Sequence, residues 1–124
     1  MSARRVALEA IAAGDVIFGL GEGGQEKLLF VLAADDRRIL ARHVTTQVEL
    51  EFRRDGRSLP TWDGGVCTIT STARLAATDI DTVVGLDRKM RTGKEFGDFF
   101  LSEAEVQLLL SVKAFFKANP LPYE

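Results

Sequence analysis

The 124-residue chain carries 16 lysines and arginines against 18 acids, a formal net charge of −2, with 46% apolar and 27% charged residues. This length predicts one domain over residues 1–124, long enough to bury a core without staples, and the composition excludes a disordered tail. The even charge lacks the basic excess usual in nucleic-acid modules. One cysteine and one histidine exclude an intramolecular disulfide and a four-ligand zinc site within one chain, and no metal or cofactor is implied.

The opening segment is too short and too mixed for a signal core or a membrane span, so a cytoplasmic protein without a membrane partner is expected. Val6, Ala7, Ala10 and Ile11 have helical spacing, and Gly14 is a natural stop, which predicts a short helix over residues 3–13. Val16, Ile17 and Phe18 suit a strand. Gly19, Gly21 and Gly24 then match the G-x-G-x-x-G spacing of a dinucleotide loop. That chemistry requires a helix immediately afterwards and an acid about 20 residues on. Leu28, Leu29, Phe30, Val31 and Leu32 are instead apolar on every face, so the glycines read as a loop joining two strands.

Residues 26–33 are expected as a buried strand, turned by Asp35 and Asp36 into a partner strand over residues 39–44. Apolar parity shifts from Ile39 and Ala41 to Val48, Leu50 and Phe52, which predicts a bulge or bend at Thr45, Thr46 and Gln47. Residues 48–53 alternate cleanly, Asp55-Gly56 signals a hairpin, and residues 57–62 form a weak edge strand interrupted by Pro60. Residues 66–72 are rich in β-branched side chains and predict a further strand.

Two helices complete the chain. The first runs over residues 78–91, with Thr78 as cap, acids in its first turn, Arg88, Lys89 and Arg91 in its last, and Gly93 as terminator. The second, over residues 103–118, opens on a capping box of Ser102 and Glu105 and stops at Asn119-Pro120. The fold class is therefore α+β. A small antiparallel, strongly twisted sheet or partial barrel of about five strands is expected, with a short N-terminal helix and two C-terminal helices packed against it. The apolar perimeter of the last helix is wider than one sheet face uses, which suggests a homodimer through it.

His43 is the cheapest general base to nominate, and Arg42 and Thr45 beside it complete the catalytic candidates. Strand neighbours point to opposite faces, so Arg42 and His43 share a target only if the chain bends. The run Arg88, Lys89, Arg91 and Lys94, followed by Phe96, Phe99 and Phe100, is the candidate binding surface, with cations for phosphates and rings for bases. Cys67 reads as a small buried hydrophobe. No catalytic constellation emerges, so a non-enzymatic binding or regulatory module is the leading expectation.

Gly14-Asp15-Val16-Ile17, the glycine-rich loop and the apolar run 28–32 resemble the opening of PemK/MazF-type toxin endoribonucleases, and residues 66–71 are similar to a later strand of that family. Gln25-Glu26-Lys27 stand where the family has a paired Arg and Pro, and Thr68 where it has Pro before Ile-Thr-Ser. The resemblance implies the alternative expectation: an RNA-binding or RNA-cleaving domain of SH3-barrel type.

Overall fold

Turn chemistry sets most strand boundaries in the computed structural model, which describes residues 2–61, 64–96 and 101–123, with 93–96 by backbone alone. The strands are β1 (Ala3–Arg4), β2 (Val16–Gly21), β3 (Glu26–Ala34), β4 (Arg38–His43), β5 (Glu49–Arg53) and β6 (Cys67–Leu75). The helices are α1 (Ala77–Phe96) and α2 (Glu103–Ala118). The fold is α+β, with six strands in an antiparallel open sheet of order β1-β6-β2-β3-β4-β5.

Each hairpin has an identifiable local cause. The glycine-rich segment closes β2 onto β3 through Gly21 N–H donating to the Gln25 carbonyl, with Gly24 at φ 84°, a conformation glycine adopts without penalty. Asp35 accepts from the N–H groups of Arg37 and Arg38, both at 2.8 Å, and these bonds hold its carboxyl below the usual range. The parity shift after β4 is a reversal of the chain and not a bulge within one strand. The His43 carbonyl accepts from Gln47 N–H, Gln47 sits at φ 66°, and the register pairs Ile39 with Phe52 and Ala41 with Leu50.

Three expectations are corrected. The N-terminal helix over 3–13 is replaced by β1 and a single 3-10 turn at Leu8–Ala10. A helix would set Val6 and Ile11 about 140° apart around its axis; the irregular path buries both in one core. The carbonyls a helix would use are taken by arginines: Leu8 and Ile11 accept from Arg54, and Ala10 accepts from Arg74.

Of the strand expected at 57–62, residues 57–61 form only isolated bridges and residue 62 lies outside the described residues; the sixth strand of the sheet is β1 instead. Residues 56–59 hydrogen-bond on both sides, Leu59 N–H to Glu51 of β5 and Ser58 N–H to Cys67 of β6. Helix α1 begins at Ala77, before Thr78, and runs past Gly93 to Phe96, because one glycine costs only about 1 kcal/mol inside a helix.

The sheet has an apolar core on each face. Val16, Phe18, Leu28, Val44, Ala73 and Leu75 meet both helices on one side. Ile17, Leu29, Val31, Ile39, Ala41, Leu50, Phe52, Cys67 and Ile69 form the other, covered by Val6 and Ile11. Helix α2 buries Leu108, Val112 and Phe116, one residue every four, and leaves Val106 and Leu110 exposed. Buried Asp15 accepts both arms of the Arg74 guanidinium at 2.8 and 2.9 Å, fixing β2 to β6 from outside the ladder.

The capping box is present: Ser102 Oγ accepts from Glu105 N–H, and Glu105 Oε1 accepts from Ser102 N–H and from Lys89 Nζ. The Ser102 backbone bond, then Lys89, hold the Glu105 carboxyl below its usual range. A carboxyl lowered by folding stabilises above its unfolded pKa and loses that contribution as pH falls through the folded value. Glu105→Gln keeps the capping-box bond but removes the charge, and is therefore expected to cost about 0.3–1 kcal/mol at neutral pH. It should cost progressively less below about pH 4, as read by urea melts across that range.

Candidate functional site

The sequence-nominated residues fall into two environments. Arg42 lies under α1, where Nη1 donates to Asp87 Oδ2 at 3.1 Å and Nη2 stands 3.6 Å from Glu49. His43 does not join it, because its Nδ1 lies 2.8 Å from Thr46 Oγ1 within the turn that follows β4. His43 and Thr45 line a recess of about 90 Å³ with Glu26, Met90, Leu109 and Lys113. That volume is well below the roughly 300 Å³ at which small-molecule sites begin.

Two cations of the basic run on α1 are committed to acids. Lys89 Nζ bonds Glu105 at 3.0 Å, and Arg91 Nε stands 3.6 Å from Asp87, one turn earlier. Arg88 is exposed. The side chains of Lys94 and Phe96, and Phe99 and Phe100 altogether, lie outside the described residues. The structure thus brings Arg42 and Arg91 to one carboxylate, Asp87, and leaves His43 elsewhere.

A larger cleft, of about 540 Å³, opens at the end of the sheet. One wall is the β2–β3 turn with Gly21, Glu22, Gly23 and Gln25; the other is Thr61 and residues 64–66. Lys27 and Cys67 also line it. Strand parity accounts for both orientations: Lys27 shares it with buried Leu29 and Val31, and Cys67 with buried Ile69. Sequence reasoning passed over Lys27, although a cation at an inward-facing position of an apolar strand was its signal.

The Gln25 amide folds back over the turn because two glycines let it. A Cβ on Gly23 would lie 2.5 Å from Gln25 Nε2, and one on Gly21 would lie 3.0 Å from Oε1. Burial pushes the Cys67 thiol up, with the Lys27 ammonium pulling weakly the other way. At neutral pH the sulfur is protonated, and a thiol is a poor nucleophile beside its thiolate.

Gly19 makes room for that sulfur. A Cβ there would come 2.6 Å from Cys67 Sγ and 3.3 Å from Leu29 Cδ1. Gly19→Ala is expected to destabilise the fold by about 1–3 kcal/mol, the usual cost of overpacking. Cys67→Ala should recover much of that loss, because the offending atom is gone. Denaturant melts of the four proteins in this cycle measure the coupling, and strictly additive losses would contradict the assigned contact.

Among the described residues no group of three or more His, Cys, Asp or Glu side chains is placed to hold a metal ion. No helix among them is long and apolar enough to cross a membrane. Comparison of the chain with family models, with curated proteins and with solved structures finds no match.

Proposed function

We propose that the protein is a non-enzymatic binding module whose site is the cleft between the β2–β3 turn and residues 64–67. The observation that carries this reading is the lining of that cleft. Its volume of about 540 Å³ suits a small ligand, and polar groups converge on it from separate segments of the chain. Its titratable groups among the described residues are Glu22, Lys27 and Cys67, and the thiol is held protonated by burial. That set favours recognition over proton transfer or nucleophilic attack.

Amide shift mapping of the labelled protein against a small-molecule library tests it. Saturable shifts clustered at residues 21–27 and 64–67 support the reading, and ligands that consistently map elsewhere remove it.

A second reading, an RNA-binding or RNA-cleaving domain of PemK/MazF-like SH3-barrel type, draws support from residues 56–59. Their bonds to both β5 and β6 favour a sheet rolled into a partial barrel around its second core. Exposed Arg88 and half-exposed Arg91 would supply the phosphate contacts. Oligonucleotide affinity that falls steeply with salt, with a slope flattened by Arg88→Ala and Arg91→Ala, would favour it. RNA left intact by the protein, with His43→Ala changing nothing, would end its nuclease form. A homodimer through α2 is proposed from Val106 and Leu110, 39% and 56% exposed and one turn apart. Sedimentation of Leu110→Glu decides that point.

A further inference from the structure

We infer that the cleft binds a small ligand through an oxyanion, a phosphate or carboxylate group seated against Lys27. The inference rests on the binding-module reading and adds the chemistry of the ligand to it. Three observations lead there.

The first is the position of the lysine. Lys27 occupies the end of β3 on the face that carries Leu29 and Val31, and it is half-buried. It pairs across the ladder with Gly19, which contributes no side chain. An ammonium that lines a cleft without a counter-charge attracts an incoming anion. Among the described residues no carboxylate stands within ion-pair distance of it.

The second is the neighbour it does have. Cys67 is the group whose titration Lys27 influences, and burial keeps that thiol neutral at physiological pH. The sulfur therefore supplies no counter-ion and leaves the cation available to an incoming anion.

The third is the neighbouring amide. Gln25 is bent over Gly21 and Gly23, which brings its amide to the same cleft wall. Gln25 Oε1 and Lys27 Cε both approach Gly21, with Nε2 toward Gly23, so the cleft offers an ammonium and, a little apart from it, an amide N–H to the oxygens of one ligand. Glu22, exposed on the rim, repels an incoming anion and so weakens binding at the Lys27 end of the cleft.

Titration of the labelled full chain with inorganic phosphate, with acetate and with uncharged acetamide, at fixed ionic strength, tests the inference. The expected result is saturable amide shifts at residues 21–27 and 64–67 with phosphate or acetate and none with acetamide. Whichever anion binds tighter identifies the group. Lys27→Gln should weaken that binding about tenfold or more, the loss of a charge-assisted bond. Lys27→Arg should retain most of it, Glu22→Gln should tighten it severalfold, and Lys117→Ala, at an exposed cation on α2 away from the cleft, should leave it unchanged.

Anion binding that survives Lys27→Gln overturns the inference. So do shifts that spread over surface cations without saturating. If neutral library members saturate the cleft while both anions fail, the oxyanion assignment falls and the binding module stands. If nothing saturates the cleft, both fall.

Discussion

Replacing Arg42 with alanine is expected to lower unfolding stability by about 3–5 kcal/mol, the cost of stranding a buried carboxylate. The Asp87 side chain is 6% exposed, its Oδ2 receives Arg42 at 3.1 Å, and its Oδ1 has no hydrogen-bond partner among the described residues. Arg91 does not replace Arg42, since it approaches the same oxygen only to 3.6 Å and is half-exposed. At that distance and exposure an ion pair contributes no more than about 1 kcal/mol.

The paired replacement Arg42→Met with Asp87→Leu should recover most of the loss, because two apolar side chains remove the desolvation cost together with the pairing. Urea melts of both single variants and the pair provide the measurement. A stable Arg42→Ala protein would show that β4 and α1 are not joined through this carboxylate.

Phe116→Ala should be comparably severe, at about 3–5 kcal/mol, the range for deleting a buried aromatic ring. The ring is 2% exposed, stacks on Phe18 at 5.3 Å and 21°, and meets Phe115 edge-on at 6.2 Å. Its loss empties the seam between α2 and the sheet. It also loosens the C-terminal segment beyond α2, where Ser71 Oγ donates to the Asn119 carbonyl and Tyr123 Oη accepts from Thr72 N–H.

Hydrogen exchange along β6 should therefore quicken together with the fall in melting temperature. Leu110→Ala, on the exposed side of the same helix, should stay within about 0.5 kcal/mol. Equal losses at 110 and 116 would mean that α2 is packed the other way round.

Much of the fold was legible because local chemistry and burial agree. The alternation Leu50, Phe52 against Glu49, Glu51 and Arg53 gave β5 with its wet face, and the strand reads alternately exposed and buried throughout. Ser102 and Glu105 gave the start of α2 to the residue. The glycines at 19, 21 and 24, with no helix after them, gave a hairpin. What failed did so where distant groups outbid local preference. Residues 3–13 have helical propensity, yet their carbonyls are claimed by Arg54 and Arg74, more than 40 positions away in sequence.

The cleft was the least legible part, since Lys27 and Gln25 meet Thr61 and Cys67 only once β2 has paired with β6. Sequence by itself therefore determined the class of the fold, strands at the positions of β2 to β6, the two C-terminal helices and the wet face of β5. Those follow from side-chain periodicity and capping, which act over a few residues. Only the tertiary structure decided that Arg42 belongs to Asp87, that His43 stays with its own turn, and that an inward lysine stands without a carboxylate beside it among the described residues. Charge pairing and cleft formation depend on which surfaces the strand order brings together, and no short-range pattern encodes that order.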